Sequence, residues 1–244
     1  DTYYYFCDME IQNFLSEGEK FFLPNLSVDA VIIGYEDKQL KCLLLQVGDK
    51  WLLPGGYVRR DQSVEQAAHQ VLFERTGLNE PHLQFLSVFG QSHRNFSDEW
   101  SRFFEDNQMV WDKNSWVNDR FVSLVYYSLV NIKVTQPKIG VFDKAYGWFP
   151  LNDLPEMWMD HQQMVLTAKR HLMQTVVDNP IIYNLLPEYF TMPDLHQLHQ
   201  IILEKEVDRS RFQKKMLSLD IFERLAEQPK DKPGRNPFQY RIKK

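Results

Sequence analysis

Seven basic side chains near the end of the chain are spaced to neutralise a polyanion. Arg209, Arg211, Lys214 and Lys215 fall in Arg209–Ser218, which Asp208 can cap as a helix. Lys230, Lys232 and Arg235 fall in the loop Gln228–Asn236. A helix with cations at its start fits a major groove, and a basic loop beside it lies against backbone or minor groove. The chemistry would be displacement of counterions from phosphates. A second concentration is aromatic: Trp100, Phe103, Phe104, Trp111 and Trp116, spread through a polar stretch. Rings beside polar groups hold sugars or nucleobases by stacking plus a few directed hydrogen bonds. So many aromatics in a loop could equally make a dimer contact. Metal chemistry has no pattern to rest on. His69, His161, His171, His196 and His199 share no ligand spacing and read as surface or satisfied residues. Met157, Met159, Met164, Met173 and Met192 read as core filler. Cys7 and Cys42 make neither a metal motif nor a disulfide framework.

The elements that must position these groups follow from composition and periodicity. The 244 residues are 43% hydrophobic and 25% charged, which excludes wholesale disorder and fibrous repeats and suits two modest domains. The net charge of −5 is uneven: residues 1–187 carry 16 Lys and Arg against 24 Asp and Glu, residues 209–244 carry 11 against 4. An acidic body with a basic end points to a polyanionic partner, against the blander alternative of a solvated basic tail. No apolar run approaches the ~20 residues of a membrane span. The opening DTYYYFC has no secretory leader pattern and no initiator Met, so the chain could begin inside a longer one. A reducing, cytoplasmic setting is expected.

Residues 8–22 read as a helix, and Leu26–Ile33 and Leu40–Gln46 as a strand hairpin. Trp51–Val58 reads as a strand broken by glycines. Val64, Ala67, Ala68, Val71 and Leu72 set a helix over 63–75 that Gly77 ends. Strands follow at 83–90, 121–130 and 144–149, with the irregular 91–119 between the first two and a helix at 160–177 after the last. Asn179-Pro180 and Leu185–Pro187 form a joint between domains 1–178 and 179–244. Thr191, Pro193 and Asp194 start a helix with Leu195, Leu198, Ile201, Ile202 and Leu203 at helical spacing. The helix at 209–218 would turn Phe212, Met216 and Leu217 inward, and two short strands at 222–226 and 238–242 close the chain. Helix, short connection, basic helix and hairpin read as a winged helix-turn-helix; a helical docking domain is the alternative.

Gly56 through Leu78, with Pro54-Gly-Gly56 ahead of it, resembles the Nudix box in spacing, loop and terminal glycine. The resemblance covers about residues 25–178 and implies an α+β fold: an α/β/α sandwich with a mixed sheet, followed here by a winged helix-turn-helix domain. In the family, glutamates of the box bind divalent metal and activate water against a diphosphate. Gln62, Gln70, Val71 and Arg75 stand where the box has its leading glutamate, its Arg-Glu pair and the second of its final glutamates, and Glu74 remains. One carboxylate beside a guanidinium, read as a weak surface pair, does not hold a hard cation. No catalytic residue, metal or cofactor is therefore expected, unless Glu99, Glu105 or Asp119 were recruited as ligands.

The combination resembles the Nudix-related transcriptional regulators, which use the former hydrolase domain as a sensor, dimerise and bind palindromic double-stranded operators. One branch responds to ADP-ribose and another to L-arabinose. The segments Thr191–Leu217 and Leu185–Pro187 incline the reading to the sugar-responsive branch. The piece 95–119 is additional to the family pattern, and lid and interface stay open for it. Asp29, Trp51, Arg94, Arg120 and Tyr126 are the expected effector-binding residues. Asp29 could equally be a strand carboxylate paired with Arg94, and Tyr126 could be core. The four cations of 209–218, with Lys232 and Arg235, are the expected DNA contacts. An active pyrophosphohydrolase on ADP-ribose-like nucleoside diphosphate sugars is the alternative function.

Overall fold

Leu26–Ile33 is too apolar to leave either face in water, and it occupies the middle of the sheet. A computed structural model describes residues 11–78, 82–106, 110–140, 143–177, 179–227 and 236–243. The opening residues with Cys7, and Lys230, Lys232 and Arg235, lie outside the described residues. After helix α1 (Ile11–Phe21), strand β1 (Phe22–Glu36) hairpins into β2 (Gln39–Val47) through Asp37 and Lys38, both at positive φ. The glycine-broken stretch makes two strands. β3 (Lys50–Leu52) pairs with β2, and β4 (Gly55–Arg59) pairs with β1. Helix α2 (Val64–Thr76) follows, then β5 (Leu83–Phe89), helix α3 (Ser97–Asp106), β6 (Val122–Val130), β7 (Ala145–Pro150) and helix α4 (His161–Thr175). β6 runs parallel to β1 and every other pairing is antiparallel, so the sheet is mixed.

Alternation along the strands sorts side chains to two faces. Val28, Ala30, Ile32, Leu43 and Tyr126 meet Ala67, Ala68, Val71 and Leu72 of α2. Val31, Ile33, Cys42, Leu44, Val125 and Tyr127 meet Met164, Val165, Ala168 and Leu172 of α4. The result is an α/β/α sandwich. Ser63 and Gln66 close a capping box on α2, and Gly77 ends it at φ 68°. The stretch 91–119 is more regular than its sequence suggests. Asp98 and Glu99 favour the start of α3, and Trp100 and Phe104 sit on one face of it, packed with Trp111.

The last fifth of the chain is β8 (Phe190–Thr191), α5 (Met192–Leu203), α6 (Arg209–Ser218), β9 (Phe222–Glu227) and β10 (Phe238–Ile242), with β8, β10 and β9 in one sheet. Thr191 and Asp194 form a capping box on α5, and Asp208 caps α6 through the Arg211 N–H. Phe212 and Met216 are buried, whereas Leu217 is 45% exposed and does not turn inward. The expected joint is not a free hinge either. Pro180–Leu185 is a 3₁₀ helix whose Ile181, Ile182, Tyr183 and Leu185 are buried in the core that α4 and α5 share. Asn179 Nδ2 donates to the Tyr127 hydroxyl at 3.0 Å, and Lys169 of α4 bridges Glu204 at the end of α5 at 2.6 Å.

His199 is no surface histidine. It is buried edge-on against Phe212 at 4.8 Å, and its Nε2 has no hydrogen-bond partner among the described residues. Burial first, then His196 and Lys215, push its pKa down to about 4. The unfolded chain takes up this proton below about pH 6.5. The folded chain does so only near 4, so stability should fall as pH drops between those values and level off below, by about 3 kcal/mol at most. Urea unfolding of the wild type and His199→Leu at pH 7 and 4.5 measures this, and the variant should lose that part of the pH dependence.

Candidate ligand cavity and nucleic-acid interface

Between the ends of β1, β4 and β6 and the piece 95–119 lies a cavity of about 160 Å³. Phe14, Tyr57, Phe96, Trp100, Phe104 and Phe121 make most of its apolar wall. Trp116 packs behind Tyr57 at 4.8 Å, and Trp158 fixes its ring N–H on the Val47 carbonyl at 2.7 Å. Glu99 of α3 accepts from the Met159 N–H at 3.0 Å, which ties the extra piece to the turn before α4. The insertion thus forms a wall of the cavity, to which Phe96, Trp100 and Phe104 contribute rings.

The opposite wall is polar. Arg94 is 5% exposed, and each of its three guanidinium nitrogens donates a hydrogen bond. Nε and Nη2 donate to the two Asp160 carboxylate oxygens at 2.8 and 3.1 Å, and Nη1 donates to the Phe121 carbonyl at 2.7 Å. This bidentate clamp joins the loop after β5, the start of β6 and the start of α4. His161 accepts the Leu53 N–H on Nδ1 at 2.9 Å, so its remaining proton sits on Nε2. Nε2 is 3.9 Å from Asp29 Oδ1. Burial lowers the His161 pKa against the opposing pull of Asp29 and Asp160, which keeps the ring neutral. Burial and the Asp29 charge raise the Tyr57 hydroxyl. Gly55 is required here, because a Cβ on it would lie 2.4 Å from Asp29 Oδ1. Ser27 and Ser123 hydroxyls, 2.7 Å apart, complete the wall.

On the C-terminal domain, Arg209, Arg211, Lys214 and Lys215 are all exposed on α6, which buries Phe212 and Met216. The face is cationic, and the Asp208 cap fixes its first turn. The Arg224 guanidinium of β9 sits over the Phe238 ring of β10, 3.4 Å from its centroid, a cation–π contact across the hairpin.

Residues 24–168, more than half of the chain, match the family model for the NUDIX domain. The chain belongs to the Nudix family. Residues 182–242 match the NrtR DNA-binding winged helix domain, so the Nudix domain is followed by a winged helix of that type. The chain is 26% identical over 223 residues to the ADPR responsive transcriptional repressor NtrR of Acinetobacter baylyi, covering 87% of this chain and 80% of that one. It is similar in structure to Shewanella oneidensis NrtR complexed with a 27mer DNA, with a TM-score of 0.70 and 27% identity over 89% of this chain and 93% of that one. A MutT/nudix family protein from Enterococcus faecalis shares the fold across 98% of this chain and 96% of its own, with a TM-score of 0.66 at 22% identity.

The Nudix box of this chain carries a hydrogen-bonded amide relay. Gln62 donates to Gln70 at 2.7 Å, and Gln70 donates to Glu74 at 2.8 Å. Arg75 does not pair with Glu74; it reaches Asp143 at 2.6 Å, a partly buried pair. Glu74 is the one carboxylate of this relay, and the two amides and the Arg75 guanidinium add no anionic ligand for a divalent cation. Among the described residues no group of three His, Cys, Asp or Glu could hold a metal, Glu99, Glu105 and Asp119 included.

Of the five residues expected around the Nudix domain's ligand site, Asp29 and Arg94 line the cavity and are not paired with each other. Trp51 packs edge-on against Phe149 at 4.5 Å, outside the lining. Arg120 points to solvent, and its carbonyl takes the Asn25 amide at 3.0 Å. Tyr126 pairs in register with Ala30 and shares its face, so it is buried under α2. The expectations missed Asp160 and His161. Their signal was a consecutive Asp-His at a helix start, but the partners Arg94 and Leu53 are far away in sequence.

Proposed function

We propose that this Nudix-family chain is a ligand-responsive transcriptional regulator, with the winged helix gripping duplex DNA and the Nudix domain binding an effector. The observation that carries the reading is the exposed cationic face of α6, set by the Asp208 cap within a domain matching the NrtR DNA-binding winged helix. Such a face binds phosphates with a strong salt dependence. The amide relay in the Nudix box supports effector binding over hydrolysis. The proposed effector is ADP-ribose, because the Acinetobacter relative is described as ADPR responsive; L-arabinose is the comparison ligand. Two copies would sit on a palindromic operator, which places the protein with DNA in the cytoplasm. Among the described residues, no helix is long and apolar enough to cross a membrane.

The route between sites would be α4. His161 at its start lines the cavity, the preceding Asp160 holds Arg94 in the cavity wall, and its flank packs on α5 of the winged helix. An effector that prefers one seating of α4 biases the other site by the same differential energy. Fluorescence anisotropy on a labelled promoter duplex tests this. ADP-ribose should release the duplex in EDTA, and no response to ADP-ribose or L-arabinose sinks the reading. Magnesium-dependent cleavage of ADP-ribose, lost in Glu74→Gln, would favour the hydrolase instead.

A further inference from the structure

The carboxylate of Asp29 has no role in the fold that its contacts account for. The residue is 6% exposed, lines the cavity, and has no hydrogen-bond donor within reach among the described residues. His161 Nε2 faces it at 3.9 Å, beyond a hydrogen bond, and that nitrogen carries the proton. A carboxylate that opens on a largely aromatic cavity gains most from a ligand that supplies donors.

We propose that Asp29 and His161 form a hydroxyl-reading pair that takes the vicinal diol of a furanose ring seated in the aromatic cavity. This rests on the cavity being the effector site. A hydroxyl oxygen both accepts and donates at one atom, so about 2.8 Å from each partner it closes the gap. The second hydroxyl of a diol donates to the other carboxylate oxygen. An anion is disfavoured by the Asp29 charge, since of the two arginines in the lining Arg94 is committed to Asp160 and Phe121 and Arg75 to Asp143. A hydrocarbon ring would leave the carboxylate unpaired. A nucleobase edge offers its donor and acceptor on two atoms side by side, a poorer match to one gap. Size agrees: a cavity of about 150 Å³ holds one benzene ring, and this one is about 160 Å³. One sugar ring fits, and a whole nucleoside diphosphate sugar would leave the rest of itself outside. The ring could belong to a free pentose or to a nucleotide, since the pair reads only the diol.

Isothermal titration of the full chain with D-ribose 5-phosphate, 2-deoxy-D-ribose 5-phosphate, L-arabinose, ADP-ribose and adenine tests the pair. Ribose 5-phosphate should bind roughly tenfold or more tighter than its 2-deoxy counterpart. Asp29→Asn should erase that preference and weaken ADP-ribose by a similar factor. His161→Asn keeps an acceptor for the Leu53 N–H while removing the Nε2 proton, and should do the same. L-arabinose binding that both variants lose identifies a free pentose as the source of the ring, and its failure beside ADP-ribose identifies a nucleotide. The pair is overturned if both variants keep every diol within twofold, if no diol binds, or if adenine binding is what they lose. Should ADP-ribose release DNA equally from wild type and Asp29→Asn, the regulator reading stands and the pair falls. Should the diol preference hold while DNA is never bound, the pair stands and the regulator reading falls.

Discussion

Asp160→Ala should destabilise the fold by about 3–5 kcal/mol, because it strands a buried guanidinium. The Arg94 side chain is 4% exposed and spends two of its three nitrogens on the Asp160 carboxylate. With that carboxylate gone, only the Phe121 carbonyl remains to Arg94. The loss follows from one uncompensated charge, so it should be non-additive. Arg94→Met combined with Asp160→Ala should recover a large part of it, since an apolar side chain of similar length leaves nothing unpaired. Urea unfolding of the two single variants and the double closes the cycle. A loss under about 1 kcal/mol would mean that water reaches the pair and that the clamp does not hold the cavity rim.

The second large effect belongs to α6. The Arg211→Ala/Lys215→Ala double variant should bind duplex DNA about 10- to 100-fold more weakly at low salt. Each lost phosphate contact also removes about 0.9 from the slope of log affinity against log salt, so the slope should flatten by about 2. Both side chains are exposed, so unfolding free energy should stay within about 0.5 kcal/mol of wild type. Anisotropy titrations at several salt concentrations give affinity and slope together. An unchanged slope would move the DNA contacts to another surface.

What could be read from sequence was mainly local chemistry. Ser63, Thr191 and Asp208 cap their helices and Gly77 ends α2 at positive φ because each acts on backbone three or four residues away. The burial of β1 and β2 was legible from their apolar runs, and the winged-helix order from its short connections. The cavity was harder, since its polar wall is assembled across long distances in the chain. Arg94 finds Asp160, His161 finds Leu53 and faces Asp29, and Arg75 finds Asp143 rather than its helical neighbour. Tyr126 shows why strand residues mislead. Which face it takes depends on its register with Ala30, and no pattern within β6 alone fixes that. Helix α3 was hidden because its apolar face is aromatic and set among acids, so it reads as an irregular polar stretch until Glu99 anchors it on Met159.

The proposal turns on one chain using a Nudix cavity to sense and a winged helix to hold DNA. One titration addresses both: labelled promoter duplex with the full chain at low salt in EDTA, ADP-ribose added stepwise, and the nucleotide recovered afterwards. Release of the duplex with the ADP-ribose recovered intact is the predicted result. A chain that ignores the duplex at every salt concentration, yet cleaves ADP-ribose once magnesium is supplied, would contradict it.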